Sequence, residues 1–340
     1  MGGGVLIAGN DAGTNVGASL LRAAHALQMP AALCDARRAF AGSRAIARVN
    51  WWLRGRRPTR LAAYGRAIAQ TCRERQPAWL IATGVAPIER RHLEEMRAQG
   101  VVTINYLTDD PWNPAFSSRW FLDALTAYDR VYSPRTANLD DLRRHGCRRV
   151  EYLPFAVDPQ LFFPEAPAEA ERPRYAADVC FVGGAEPARV AIVSRLIEGG
   201  VNVALYGDYW DRHAATRPAW RGHVSPAIVR KATGAAAVSL CLVRHANRDG
   251  HTMRTFEAAA MGACLLVEDT DEHRRLFGGE DEIVAYFRSE TDVLDRAKAL
   301  LDDRERRQRL AAAARRFITC GHHTYRDRLR AMLGAQESAA

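Results

Sequence analysis

The sequence predicts an α/β protein built from two doubly wound parallel-sheet domains. Two observations carry this. Short apolar runs alternate with amphipathic helical stretches from Val5 to Leu333, and a proline-rich stretch interrupts that alternation once, near the middle. At 340 residues the chain is long enough for two cores of ordinary size. The pattern divides it into a first domain over 1–153, a linker over 154–173, a second domain over 174–320, and a C-terminal helix and tail over 321–340.

In the first half, Val5–Ala8 reads as a buried strand, followed by a turn with glycines at 9, 13 and 17 and a helix over 19–27. The spacing is neither G-x-G-x-x-G nor a phosphate loop. The glycines serve tight backbone approach, or Asn10, Asp11 and Thr14 face a substrate; the residues leave both readings open. Ala31–Cys34 is the next strand. Residues 36–60 are strongly basic, with Trp51-Trp52 set between arginines. This segment covers a sheet edge, or it meets a membrane or a greasy acceptor. A helix over 61–75, a strand over 79–82 and a helix over 90–99 follow. The strand over 101–106 then runs into Asp109-Asp110-Pro111. Paired carboxylates at a strand's carboxyl end either cap the turn or supply a general base, since like charges side by side raise one pKa. Elements over 117–127, 131–133, 136–145 and 150–153 complete the half.

The second half opens with a strand over 177–182 and Gly183-Gly184, where a ligand can approach the backbone closely and Pro187 can start a helix. A strand over 201–206 leads to Gly207-Asp208, and a short helix starts at Pro226. A strand over 235–243 then reaches Asp249-Gly-His-Thr-Met-Arg-Thr-Phe-Glu257-Ala-Ala-Ala-Met-Gly262, read as a loop and helix, and the strand 263–267. His251, Arg254 and Glu257 recur every three residues, while Met253, Phe256 and Ala260 face the core. A cation at a helix start with a carboxylate one turn on suits a ligand bearing both phosphate and hydroxyls, such as a nucleotide sugar. A helix to Phe277, a strand over 282–286 and helices from Glu290, Asp303 and Tyr325 end the pattern.

The net charge of +9 comes almost wholly from arginine, because Lys231 and Lys298 are the sole lysines. It fits a solvated basic surface, an anionic substrate or an anionic membrane. Nucleic acid is not expected, since no binding motif is present. The seven dispersed cysteines form no CxxC pair and fit a reducing compartment. With no signal-peptide pattern and no apolar run of spanning length, a cytoplasmic protein is expected.

His251-Thr-Met-Arg254-Thr-Phe-Glu257-Ala-Ala-Ala-Met-Gly262 resembles the signature of group-1 glycosyltransferases of the GT-B fold, and more closely their branch related to the spore-maturation protein CgeB. The resemblance extends to Ser289-Glu-Thr-Asp-Val293, His323-Thr-Tyr-Arg-Asp-Arg328, the hinge-like Leu153-Pro-Phe-Ala-Val-Asp158 and Thr108-Asp-Asp-Pro111. It implies Rossmann-like domains facing across a cleft, with the C-terminal helix packing back on the N-terminal domain. It also implies that Glu257 hydrogen-bonds the ribose, that Arg254 and Gly183-Gly184 hold the pyrophosphate, and that Val224 frames the base. Arg244, His251 and Thr255 join that donor site. Many relatives carry a glutamate eight residues before the ribose-binding one; here that position is Asp249.

The implied activity is metal-independent sugar transfer from a nucleotide-diphosphate sugar, with no cofactor, to a small-molecule, lipid-linked or protein acceptor near Asn10 and Thr14. Asp110, Asp109 and then Asp11 are the expected catalytic bases. Asp269-Thr-Asp271 matches a metal-holding Asp-x-Asp, but its position at a helix start favours capping. A sugar-nucleotide epimerase of the same architecture and a non-catalytic nucleotide-sugar binder are the alternatives.

Overall fold

The computed structural model of the chain describes residues 3–115, 117–223 and 225–334. They form two units. The first runs to Pro154 and includes Ala246–Arg248 and the helix that starts at Tyr325; the second comprises Phe155–His245 and Asp249–Thr324.

The first unit holds a six-stranded sheet of β1 (Val5–Gly9), β2 (Ala31–Asp35), β3 (Trp79–Thr83), β4 (Val102–Tyr106), β5 (Arg130–Ser133) and β6 (Val150–Tyr152), in the order β2-β1-β3-β4-β5-β6. Every pairing is parallel; Ile7, for example, lies between Leu33 and Ile81. Central parallel strands are covered on both faces, which is why β1 reads as an unbroken apolar run and is buried throughout. Ile68, Leu93, Met96 and Phe121 from the covering helices pack with Leu6, Leu80 and Val131. Helix Tyr325–Leu333 packs against helix Val16–Ala26, and Arg130 donates to the Met332 carbonyl at 3.1 Å. The C-terminal helix therefore belongs to the first unit, as the sequence implied.

The second unit repeats the plan with β7 (Ala177–Val182), β8 (Val203–Tyr206), β9 (Ala236–Cys241), β10 (Leu265–Glu268) and β11 (Ala285–Phe287), in the order β11-β10-β9-β7-β8, again all parallel. In both sheets the first strand has the second on one side and the third on the other. The order thus reverses between β1 and β3 and between β7 and β9, the places where open α/β sheets bind ligands.

Three segments depart from the expected pattern. Helix 136–145 is a 3-10 turn over Thr136–Asn138 followed by helix Leu139–Arg144. The last strand shortens to Ala285–Phe287, after a turn in which Asp281 takes a positive φ of 63°. Residues 154–173 do not behave as one connector. The Pro154 carbonyl accepts from Tyr106 and Arg328 in the first unit, whereas Phe155, Val157 and Phe162 are buried with Phe256 and Phe277 in the second. All seven cysteines are free. Among the described residues no helix is long and apolar enough to cross a membrane.

Candidate functional site

The carboxyl ends of β7 and β9 are tied together by a residue the sequence analysis did not single out. Arg189, two residues into helix Pro187–Glu198, is buried, and its guanidinium reaches across the strand ends. It donates to the carbonyls of Gly184 at 3.2 Å, Leu242 at 3.3 Å and Val243 at 3.2 Å. Burial pulls its pKa down, with Glu186 opposing that shift. Glu186 Oε1 also pairs with Arg244 at 2.7 Å, so two arginines share this carboxylate oxygen. The backbone around Gly183 is close-packed: Gly207 has a φ of 129°, and a Cβ there would run into the Gly183 carbonyl. Gly183, Gly184, Arg244 and Asp249 thus gather at or beside one strand-order reversal, Asp249 donating its N–H to the Arg244 carbonyl at 3.2 Å.

Helix Met253–Ala260 begins one turn further on, with Thr252 as its N-cap. Arg254 Nη1 lies 2.5 Å from Glu257 Oε2, an i,i+3 pair in which the arginine is part-exposed and the glutamate buried. The contact falls outside hydrogen-bond geometry, so Glu257 Oε2 is a buried oxygen without a hydrogen-bond donor. Burial raises the Glu257 pKa, and the Arg254 charge opposes it. A desolvated carboxylate whose Oε2 meets the Arg254 guanidinium but no well-aligned donor is suited to a ligand hydroxyl. Burial pushes the Cys180 thiol of β7 and the Cys241 thiol of β9 up to about 12, and the Arg254 charge opposes both shifts.

Two of the expected donor residues serve the protein instead. His251 is buried; Glu272 lies 2.7 Å from its Nδ1, and the Phe155 N–H donates to its Nε2 at 3.1 Å. With both ring nitrogens engaged, His251 ties the loop to the segment after Pro154 and offers no atom to a ligand. Thr255 is likewise buried and meets His273 Nε2 at 3.1 Å. Val224 lies outside the described residues. The Asp269 carboxylate is taken by Arg274 and Arg288, which hold its pKa down, and Thr270 caps the helix that Asp271 begins.

In the first unit, Asp110, the first of the expected bases, is enclosed and hydrogen-bonded on both oxygens. The residue is 1% exposed. Arg248 grips both oxygens, at 2.5 Å to Oδ2 and 2.9 Å to Oδ1, and Trp112 N–H donates to Oδ1 at 3.1 Å. Its own N–H donates to Asn247 Oδ1 at 3.0 Å. A carboxylate held this way clamps the 246–248 segment and is ill placed to accept a substrate proton. Asp109 is half-buried and lies beside Gly84 at the end of β3; a Cβ on Gly84 would stand 2.9 Å from Asp109 Oδ2. Asn10, at the end of β1, folds its side chain back to accept from the Ala12 N–H at 2.9 Å. Asp11 is exposed and paired with Arg37, and Thr14 is exposed. Asn10 and Asp109 therefore sit at the same sheet end, around the β1/β3 reversal, and Asp11 points to a surface arginine.

Residues 189–334 match a family model described as glycosyl transferase-like. Among solved structures, the chain is similar to a sucrose-phosphate synthase from Thermosynechococcus elongatus at 10% identity, covering 97% of this chain and 96% of that one, with a TM-score of 0.67. It is similar to Anabaena HepE in complex with UDP-glucose at 12% identity, covering 98% and 100%, with a TM-score of 0.65. It is also similar to a UDP-N-acetylglucosamine 2-epimerase from Listeria monocytogenes, described as putative, at 11% identity, covering 98% and 97%, with a TM-score of 0.59. At these identities the likeness establishes the fold, two Rossmann-like parallel-sheet domains of the GT-B kind. No curated protein matches the chain.

Proposed function

We propose that the chain is a GT-B glycosyltransferase of the branch related to CgeB, and that it takes a nucleotide-diphosphate sugar at the β7/β9 crevice of its second unit. The observation that carries this is the buried Glu257 oxygen beside Arg254, at the start of a helix within the glycosyl transferase-like segment. Glu257 accepts from ribose hydroxyls. Arg254, Arg244 and the N–H groups of the Gly183-Gly184 turn meet the diphosphate, and Asp249 lies toward the sugar.

In transfer, the bond from the anomeric carbon to the diphosphate oxygen breaks as an acceptor hydroxyl bonds to that carbon. Negative charge grows on the leaving diphosphate, and fixed cations there stabilise the transition state more than the ground state. Those groups are sufficient without a metal. The acceptor binds near Asn10 and Thr14 in the first unit. If the reaction inverts configuration, the acceptor proton goes to Asp109, the more open of the paired carboxylates.

The deciding test is a thermal-shift screen against UDP, GDP, TDP and CMP, followed by nucleoside diphosphate release with and without acceptor. Release that depends on acceptor supports transfer. Sugar interconversion alone supports the epimerase reading, which the likeness to an epimerase described as putative keeps in view. Binding with neither outcome makes the chain a nucleotide-sugar binder. Glu257→Ala is expected to weaken nucleotide binding by at least about tenfold, the ~1.5 kcal/mol of one charge-assisted hydrogen bond. Calorimetry showing an unchanged Kd removes Glu257 from the site.

A further inference from the structure

Among the described residues, eight large hydrophobic side chains are exposed, and six of them fall between Phe40 and Leu53. They lie in and around helix Arg44–Leu53, of whose ten residues Asn50 alone is buried. Ile46, Val49 and Leu53 recur at i, i+3 and i+7, so with Trp52 beside them they form one apolar stripe. Trp52 and Leu53 are 76% and 80% exposed. A helix normally turns such a stripe to the core, whereas this one anchors through Asn50 and presents its stripe to solvent.

Charge surrounds the stripe. Residues 36–60 contain eight arginines and no carboxylate. Several are committed: Arg37 to Asp11 and Asp35, Arg57 to Glu89, and Arg56 to the Ser117 carbonyl and the Trp51 ring. Arg44, Arg48 and Arg54 have no carboxylate partner among the described residues. Arg44 and Arg48, four apart, line one edge of the stripe. Gly55 and Arg56 follow in left-handed conformation, with φ of 59° and 60°, and end the helix sharply.

We propose that this helix is a peripheral membrane-docking surface, and that its occupant is a bilayer bearing anionic lipid. A Trp- and Leu-tipped face edged with arginines has the composition of an interfacial helix, whose apolar side chains enter the headgroup–acyl boundary while guanidinium groups meet lipid phosphates. A second copy of the chain is the poorer occupant, because two such faces would bring unpaired arginines against arginines. The inference rests on this surface alone and stands whether or not the glycosyltransferase reading does.

The test is co-sedimentation of the full chain with phosphatidylcholine vesicles and with vesicles carrying roughly a third phosphatidylglycerol. Binding is expected to the anionic vesicles alone and to fall as salt is raised. The double variants Trp52→Ser with Leu53→Ser, and Arg44→Ala with Arg48→Ala, are each expected to lower the partition coefficient at least about tenfold. Because the altered side chains are exposed, the thermal midpoint should stay unchanged. The proposal is overturned if the wild type ignores anionic vesicles or if either folded variant binds as well as the wild type. It is also overturned if sedimentation velocity shows a dimer that Trp52→Ser with Leu53→Ser dissolves, since that gives the face to a second copy.

Discussion

Arg248→Ala is expected to lower the unfolding free energy by about 3 kcal/mol, the low end of the cost of stranding a buried charge. The low end applies because the Arg248 side chain is 39% exposed and so partly solvated. Its partner is not: the Asp110 side chain is 2% exposed and receives two of its hydrogen bonds from Arg248. Without them the carboxylate keeps the Trp112 N–H and little water. The same guanidinium also binds Asp141 at 2.7 Å and Asn138 at 3.3 Å; the Asp110 carboxylate, and after it that of Asp141, raises its pKa. Arg248→Lys retains the charge but not the fork, so an intermediate loss is expected. Urea midpoints measure both. If Arg248→Ala leaves the midpoint in place while Asp110→Asn abolishes turnover, Asp110 is a base after all and the clamp is wrong.

Acidification should destabilise the protein through His273. Burial holds this imidazole at about 3, from an ordinary value of 6.5, while its Nδ1 faces the Glu268 carbonyl at 2.9 Å. Between those two values the unfolded chain binds a proton that the folded chain does not, so stability falls as pH is lowered. The contribution is complete above pH 6.5 and is lost progressively toward pH 3. At 1.36 kcal/mol per unit, about 2–3 kcal/mol is gone by about pH 4.5. Glu257 acts in the opposite sense, because its raised pKa lets the folded state take up a proton above the usual carboxylate range. The comparison that isolates His273 is therefore the pH slope of His273→Gln against wild type, each by urea unfolding. The variant should be the flatter of the two, and equal slopes would sink this account.

Much of this architecture was legible from periodicity. Buried parallel strands such as Val5–Gly9 and Ala177–Val182 announce themselves as apolar runs because both their faces are covered. The Arg254–Glu257 pair was also readable, since a spacing of three on a helix guarantees neighbouring side chains. The residues that escaped do their work at long range. Arg189 looks like any helical arginine until the carbonyls of residues 242 and 243, more than fifty positions on, come to it. Asp110 looked like a base because its partner is 138 residues away. His251 fell in the signature with residues expected to meet a ligand, yet its ring bridges Glu272 and the Phe155 backbone, and no local pattern encodes that.

The three-residue segment Ala246–Arg248 belongs with the first unit although the chain on either side of it belongs to the second, and the helix from Tyr325 returns to the first as well. No contiguous stretch of the gene therefore encodes a whole first unit. A truncation after residue 153 discards the guanidinium that neutralises Asp110, the Pro154 carbonyl that receives the Tyr106 hydroxyl, and the helix lying on Val16–Ala26. Expressed alone, such a fragment should be recovered insoluble or molten. Joining residues 325–334 to it through a linker restores the missing helix but leaves Asp110 without Arg248, so such a fusion should fold only in part.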